Sequence, residues 1–152
     1  MEFLTKSLKI KLYLSDVGML TSVYGMNTKT KILNNDNNLN GGGIYENAVA
    51  EELISKGFNV YYYNSKRQGE LDFVIEYNGK LAPIEVKSGK DYTKHSALNN
   101  CLNNKEYGVD EGFVFANCNV SKEGKISYLP IYMASFMDSK KDKDYFAQRI
   151  VF

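Results

Sequence analysis

The dipeptide Asn78-Gly79 constrains the fold of this chain more than any other feature of its sequence. It lies between two runs with alternating apolar residues, 69–77 and 80–87. An Asn-Gly pair in this position is the strongest short-range hairpin signal, because a type I′ turn requires positive φ at both central residues. The sequence therefore predicts an antiparallel hairpin with a fixed register.

This register assigns each side chain of the hairpin to one of two faces. The residues that flank the turn, Tyr77 and Lys80, form the first pair. Two charged pairs follow outward along the strands: Asp72 opposite Glu85, and Glu70 opposite Lys87. The other face is wholly apolar and is expected to be core: Leu71, Phe73, Ile75, Ala82, Ile84 and Val86.

The pairing of Asp72 with Glu85 is unusual for a sheet, since carboxylates directly opposite each other repel. Counting from the turn makes them a non-hydrogen-bonded pair, whose Cβ atoms approach to about 4.5–5.5 Å. A divalent ion between them would resolve the repulsion, and Mg²⁺ binds one or two carboxylates together with water and phosphate oxygens. The alternative is a solvated polar face, on which Lys87 forms a salt bridge with Glu70.

Glu46 is a third acidic residue in an unexpected position. It belongs to a segment with helical spacing, 44–56, which Gly57 ends. On a helical wheel it lies in the apolar stripe with Val49, Ala50 and Leu53, whereas Asn47 and Glu51 face elsewhere. A carboxylate in the stripe needs a cation, a metal-bound water or a lysine near the sheet as its partner. The alternative is that Glu46 only interacts with the helix dipole from the first turn.

The chain before this helix divides into two segments. Residues 1–24 are expected to form a strand at Leu8–Leu14 and a short helix capped by Asp16, as the tail of a preceding domain. Residues 25–43 are rich in Asn and Gly and are expected to form a loop. Residues 44–152 are expected to form the main domain.

Strands and helices alternate in the rest of the chain. The patterns predict a strand at 59–64, the hairpin, a helix over about 92–105, strands at 112–116 and 126–129, and a short helix at 131–137. From Ile44 onward the predicted order is αβββαβ with additions at both ends. We therefore expect an α/β fold with a mixed sheet flanked by helices and an N-terminal strand and helix as an extension.

Composition excludes several classes of function. At 152 residues and a net charge of +1, the chain suits one domain with an ordinary core and lacks the charge excess of a general nucleic-acid coat. No apolar run approaches the roughly 20 residues of a bilayer span and no export leader is evident, so the expected location is the cytoplasm, without a membrane partner. Cys101 and Cys118 lack metal-ligand spacing, and His95 is the only histidine, so any metal would be bound by oxygen.

Four short motifs resemble a known family: KLYLSDVGML, GGGIYENAVAEEL, GELDFVI and PIEVKSG. Within them, Glu46, Asp72 and Glu85-x-Lys87 resemble the PD-(D/E)XK, or restriction-endonuclease-like, nuclease superfamily. The motifs are more closely similar to the uncharacterised C-terminal domain of a group of bacterial and archaeal AAA-type ATPases. That resemblance covers most of the chain from Lys11 to about 115.

The resemblance implies a restriction-endonuclease-like αβββαβ core and hydrolysis of DNA phosphodiester bonds that depends on Mg²⁺ or Mn²⁺. By the same resemblance, Asp72 and Glu85 would bind the metal together with the backbone carbonyl of Val86. Lys87 would position or activate the attacking water. Glu46 would complete the metal shell or hold its water.

Two features qualify the resemblance. Leu71 stands where the superfamily name expects proline, a substitution that leaves the carboxylate of Asp72 in place. No P-loop motif occurs, so ATP would bind only to an ATPase domain of the same full-length protein, outside this chain. Together with the start of the chain in mid-pattern, this predicts a fragment of a longer protein, with DNA and that ATPase domain as its partners.

Four basic residues flank the predicted site in sequence: Lys66, Arg67, Lys90 and Lys94. They are candidates for binding nucleic-acid phosphates, although each one singly is equally consistent with a solvated loop. The leading hypothesis is a Mg²⁺-dependent endodeoxyribonuclease domain. The alternatives are a catalytically inactive DNA-binding module with the nuclease fold, and a protein-interaction module that regulates the ATPase.

Overall fold

The computed structural model describes residues 11–34 and 41–139. Its helices are α1 (Val17–Val23), α2 (Met26–Leu33), α3 (Gly42–Ser55) and α4 (Ser96–Asn103), with 3-10 helices at Lys105–Tyr107 and Ile131–Phe136. Its strands are β1 (Tyr61–Ser65), β2 (Gly69–Tyr77), β3 (Lys80–Lys87), β4 (Gly112–Ala116), β5 (Ser121–Glu123) and β6 (Ile126–Pro130). None of the helices in these ranges has the length and apolarity needed to cross a membrane.

The six strands form one open, mixed sheet in the order β1-β2-β3-β4-β6-β5. The first three strands are antiparallel neighbours, β4 is parallel to both β3 and β6, and β5 is antiparallel to β6. From α3 to β4 the chain order is αβββαβ, and helices pack on both faces. The prediction of an α/β fold with a mixed sheet flanked by helices is confirmed.

The hairpin between β2 and β3 has the predicted turn and register. Asn78 has a φ of 53° and Gly79 a φ of 73°, as a type I′ turn requires. Five consecutive pairs extend outward from this turn with the predicted partners. The last of them, Phe73 with Ile84, lies next to Asp72. The turn thus fixes the position of Asp72 at the end of the paired part of the hairpin.

A one-residue irregularity in β2 reverses the facing of its first half. Tyr61 pairs with Val74 but Tyr63 pairs with Leu71, so the one residue of β1 between these pairs is matched by two residues of β2. Leu71 consequently packs in the core on the α4 side, while Phe73 packs in the core on the α3 side. The prediction that these two residues share a face was wrong, because hairpin register alone carries no sign of a bulge against β1.

Both faces of the sheet are buried under helices. On one face, α3 packs Val49, Ala50 and Leu53 against the hairpin. The other five residues predicted for the apolar face are all buried there: Phe73, Ile75, Ala82, Ile84 and Val86. On the opposite face, α4 contributes Leu98 and Cys101, the latter a free thiol as predicted.

The segment before α3 differs from the prediction in two ways. Residues 11–14 form no strand, and 8–10 lie outside the described residues. The helix α2 occupies part of the predicted loop, because its sequence, MNTKTKIL, contains no Gly or Pro to oppose a helix. The short helix α1 is confirmed, with Asp16 accepting a hydrogen bond from the backbone N–H of Met19 at 2.9 Å.

Two polar residues of α3 hold the N-terminal segment. Asn47 is buried, and its side chain accepts from the backbone N–H of Leu14 at 2.7 Å and donates to the carbonyl of Leu14 at 3.0 Å. Glu51 accepts from the backbone N–H of Val17 at 2.9 Å. These bonds replace strand pairing for residues 11–14, which explains why the predicted strand does not form there.

Later elements agree with the prediction except in detail. The strands β4 and β6 lie where they were predicted, and α4 is shorter than the predicted 92–105. The edge strand β5 was not predicted, because its three residues are all exposed and polar. The short helix predicted at 131–137 is present as a 3-10 helix, Ile131–Phe136.

We expect Gly79→Ala to lower the free energy of unfolding by about 1–2 kcal/mol, because an L-residue is strained in the left-handed region. Urea unfolding followed by circular dichroism measures the loss. The matched control is Gly89→Ala, since an added Cβ meets nothing within 4 Å at either position but only Gly79 has a positive φ. Equal stabilities for the two variants would contradict the type I′ turn.

Candidate functional site

The charged end of the hairpin faces a cleft of about 340 Å³. The helix α3 lines it with one residue, and the turn into α4 lines it with Lys94 and His95. The four residues predicted to be catalytic all lie on its wall: Glu46, Asp72, Glu85 and Lys87. The fold therefore brings Glu46 of α3 close to Glu85 and Lys87 of β3, which are far from it in the sequence.

Asp72 lies where β2 and β3 separate. Its Oδ2 atom accepts a hydrogen bond from the backbone N–H of Val86 at 2.9 Å, in a buried position. Had the antiparallel ladder continued, that N–H would pair with the carbonyl of Leu71. The carboxylate thus replaces main-chain pairing at the mouth of the cleft, and Val86 lines the cleft beside it.

Glu85 is buried next to Asp72 and has Lys87 as its partner. Lys87 Nζ lies 3.0 Å from Glu85 Oε2. Burial and the charge of Asp72 raise the pKa of Glu85 to about 7, although Lys87 opposes this shift. Because both carboxylates are buried, a solvated polar face does not describe this part of the sheet. The two acids lie close enough for the charge of Asp72 to act on Glu85, but the ladder ends at Phe73 and Ile84, so the predicted pairs Asp72–Glu85 and Glu70–Lys87 do not form.

Lys11 is a site residue that sequence reasoning missed. Its ammonium nitrogen lies 2.8 Å from Asp72 Oδ1, 3.1 Å from Glu70 Oε1 and 3.3 Å from Glu46 Oε2. It also lies 5.4 Å from the centroid of the Tyr62 ring, within the range of a cation–π contact. A single cation from the N-terminal segment therefore joins three carboxylates.

The orientation of the side chains in residues 11–14 explains why the role of Lys11 was not predicted. Their alternation predicted a half-buried strand with its apolar residues inward, but Leu12 is 88% exposed. The side chains on either side turn inward instead. Tyr13 packs on Phe73 with ring centroids 5.3 Å apart, and its hydroxyl donates to Glu46 at 3.3 Å. The alternation placed Lys11 at the outward phase of this run, so the sequence carried no signal for its position in the site.

The cluster keeps Lys11 charged. Burial alone would lower the pKa of Lys11, but its hydrogen bond to Asp72 and the charges of Asp72 and Glu46 raise that pKa well above its ordinary value. Burial also raises the pKa of Tyr13; the charge of Lys11 opposes this shift, and the charge of Glu46 adds to it. Both side chains therefore keep their protons across the physiological pH range.

Glu46 has the cationic partner that its place in the apolar stripe predicted. The partner is Lys11 of the N-terminal segment and not a lysine of the sheet. The Glu46 side chain is 24% exposed, so the contact is partly shielded from solvent. The role of Glu46 as a metal ligand stays a prediction.

The predicted nucleic-acid contacts lie on exposed loops. Lys94 lines the cleft and forms an ion pair with Asp91 at 3.2 Å. Lys66 and Arg67 lie in the β1–β2 turn, and Lys90 lies in the loop after β3. All four lysine and arginine side chains are exposed, and their binding of nucleic acid stays a prediction.

His95, which also flanks the predicted site in sequence, lies on the cleft wall and makes a contact that was not predicted. It is buried at the start of α4, and its Nε2 lies 2.7 Å from the hydroxyl of Tyr128 on β6. Among the residues that the structure describes, no group forms a hydrogen bond with its Nδ1. The contact with Tyr128 holds the start of α4 against the sheet and so fixes one wall of the cleft.

Within residues 11–34 and 41–139, no group of three or more Asp, Glu, His or Cys side chains is arranged as a set of metal ligands. The carboxylates gather around the ammonium of Lys11 instead. Their chemistry nevertheless suits a hard divalent ion such as Mg²⁺, which prefers carboxylate and carbonyl oxygens. The residues therefore fit Mg²⁺ on the condition that Lys11 leaves the oxygens it contacts.

Comparison with known proteins bears on the family alone. No curated protein matches the chain significantly. Residues 41–133, from α3 into the 3-10 helix after β6, match the family described as Domain of unknown function (DUF4143). The match includes the four residues predicted to be catalytic and covers more than half of the chain. This protein therefore belongs to the DUF4143 family.

Proposed function

We propose that this protein is a metal-dependent nuclease-like domain that hydrolyses DNA phosphodiester bonds. The observation that carries the proposal is the convergence of Asp72, Glu85 and Lys87 at the open end of one hairpin. The αβββαβ element order supports the resemblance to the PD-(D/E)XK superfamily. By the same resemblance, the domain is the C-terminal module of a cytoplasmic AAA-type ATPase.

The site favours a cation for an electrostatic reason. Asp72 and Glu85 are two buried acids in mutual contact, and a proton on Glu85 relieves their repulsion near neutral pH. A divalent ion such as Mg²⁺ or Mn²⁺ relieves it further, because it compensates two charges through oxygen ligands. Asp72, Glu85 and the Val86 carbonyl would hold the ion. Glu46 would complete its shell or hold its water.

The residues of the chain have distinct tasks in this proposal. When bound, the divalent ion polarises a phosphoryl oxygen and lowers the pKa of water. Lys87 orients the attacking water or the phosphate, since its side chain is 31% exposed while Glu85 holds its ammonium at 3.0 Å. A fixed ammonium at this point also stabilises the negative charge that develops on the phosphodiester.

The exposed basic loops supply the contacts with the DNA backbone. Lys94 lines the cleft, and Lys66, Arg67 and Lys90 lie on loops that begin or end at strands of the site. Lysine and arginine contacts with phosphates position a nucleic acid without reading its sequence. We expect binding through these residues to be independent of DNA sequence.

A second candidate function is a catalytically inactive module with the nuclease fold, which binds DNA or a protein and regulates the ATPase. The observation in its favour is the position of Lys11, whose ammonium already satisfies Glu46, Glu70 and Asp72. A site permanently filled by a lysine needs no metal to be stable. The two candidates differ in cleavage, so the cleavage experiment below separates them.

We expect supercoiled plasmid to be cleaved in the presence of Mg²⁺ or Mn²⁺ and to survive in chelator. Asp72→Asn and Lys87→Met are each expected to lower the rate at least about 100-fold, because one removes a ligand and the other the fixed ammonium. Gel time courses measure the rates. They are run on this chain and on the full-length protein with ATP.

The matched control for cleavage is Asp110→Asn, which removes an exposed carboxylate that pairs with Lys80 outside the cleft. Its rate is expected to equal that of the unmodified protein. Cleavage that persists in both site variants would contradict the proposed roles. If the full-length protein with ATP cleaves none of supercoiled, linear and branched DNA, the proposed nuclease activity is wrong. That result would favour the inactive module.

The raised pKa of Glu85 predicts that the free energy of unfolding depends on pH. In the folded chain its pKa is about 7, above the ordinary 4.5, so the folded state keeps a proton that the unfolded state releases between these values. Stability therefore falls as pH rises through this window, by about 3 kcal/mol at most. Glu85→Gln cannot ionise. Relative to the unmodified protein, it is expected to become more stable by that amount between pH 4.5 and pH 8.

Urea unfolding at several pH values, in the presence of chelator, measures this difference. Glu76→Gln is the matched control, since Glu76 lies on β2 of the same hairpin but is exposed. Its stability relative to the unmodified protein is expected to be independent of pH over the same range. A constant difference between Glu85→Gln and the unmodified protein would contradict the buried carboxylate conflict.

The basic loops predict the salt dependence of DNA binding. A double variant, Lys66→Gln with Arg67→Gln, removes two phosphate contacts and is expected to reduce the slope of log K against log salt by about 1–2. Fluorescence anisotropy with a labelled duplex measures it. A double control, Lys56→Gln with Lys122→Gln, removes two exposed charges elsewhere. Equal slopes for the two double variants would contradict binding through the β1–β2 turn.

A further inference from the structure

Lys11 lies at the centre of the acidic cluster. The ammonium is within 3.3 Å of oxygens from Glu46, Glu70 and Asp72, which come from α3 and β2. One unit of positive charge thus faces three carboxylates, whereas a divalent ion would compensate two of them. The cluster therefore attracts a cation of higher charge than the one it contains.

Of the two carboxylate oxygens of Asp72, only Oδ1 faces the cluster and could bind such a cation. Its Oδ2 accepts the backbone N–H of Val86 at 2.9 Å, and its Oδ1 lies 2.8 Å from Lys11 Nζ. A metal ion that binds Asp72 through Oδ1 meets the ammonium at that oxygen. Two cations at such a distance repel each other strongly, so one excludes the other.

The backbone after Lys11 is anchored to α3 at Leu14 and Val17, and these anchors do not involve the Lys11 side chain. The anchors are Asn47, bonded to both polar groups of Leu14, and Glu51, bonded to the N–H of Val17. Lys11 lies three residues before the first anchor, on a flexible four-carbon stem. The ammonium can therefore swing out of the cluster without loss of the contacts between α3 and residues 14–17.

We propose that Lys11 is a built-in competitor for the divalent cation, so that its ammonium closes the site until the cation displaces it. The inference rests on the proposed function, because it takes Glu46, Glu70 and Asp72 to belong to a divalent-cation site. It adds Glu70 to the residues that face the cation. It also makes the N-terminal segment a regulator of the site.

The first experiment measures Mn²⁺ binding by the paramagnetic resonance signal of the free ion, without DNA or turnover. Lys11→Met removes the ammonium and keeps the length of the side chain, and it is expected to bind Mn²⁺ at least tenfold more tightly than the unmodified chain. Lys11→Arg keeps the charge and is expected to show no such gain. Lys122→Met, on the edge strand β5, is the control for the loss of one positive charge.

The second experiment uses the unmodified chain and so does not depend on how a variant folds. Lys11 released by Mn²⁺ is exposed to solvent and is expected to react faster with an acetylating reagent than it does in chelator. Mass spectrometry of the peptides reports the rate at each lysine. The exposed Lys56 and Lys122 serve as internal standards, whose rates are expected to be unchanged.

The outcomes separate this inference from the proposed function. Equal, measurable Mn²⁺ affinities for the unmodified chain and Lys11→Met would overturn the competition and leave the cation site intact. Mn²⁺ binding without a change in Lys11 acetylation would do the same. Failure of every variant to bind Mn²⁺ would overturn both the competition and the metal-dependent function. Tighter binding by Lys11→Met with faster acetylation of Lys11 supports the competition.

Discussion

The hydrogen bond from the backbone N–H of Val86 to Asp72 Oδ2 is the contact on which the cleft depends. Up to Phe73 and Ile84 the two strands of the hairpin pair through their main chains, and beyond this point a side chain takes over. Since a type I′ turn sets the register, it places Asp72 at the end of the paired region, within reach of that N–H. The strands separate there, and their separation gives the charged residues a cleft instead of a continuous sheet.

The bulge between β1 and β2 lets one strand serve two cores. Leu71 packs under α4 and Phe73 packs under α3, although they are two residues apart and would share a face in a regular strand. Asp72 lies between them, at the point where the facing changes. Its position is therefore fixed from both sides of the sheet, by packing that involves no polar contact of the site itself.

Local sequence signals predicted the parts of the site that local geometry determines. Asn78-Gly79 set the register that brings Asp72 next to Glu85, and helical periodicity showed that Glu46 faces inward. Lys11 was beyond such signals, because its bond to Asp72 spans 61 positions in the sequence and depends on how α3 holds the N-terminal segment. The bulge at Leu71 was also beyond them, since it arises from pairing with β1 and not from the hairpin.

Charge compensation joins the site, its proposed cation and its proposed substrate. The cleft contains more carboxylates than ammonium groups, and burial together with the charge of Asp72 raises the pKa of Glu85 among them. A phosphodiester is itself an anion, so it meets repulsion from this cluster as long as no further cation is bound. If Lys11 leaves when a divalent ion enters, the total positive charge at the carboxylates rises by one unit, and the repulsion of a phosphate falls. Exchange of the two cations would therefore couple metal binding to DNA binding, with Lys11 as the group that changes place.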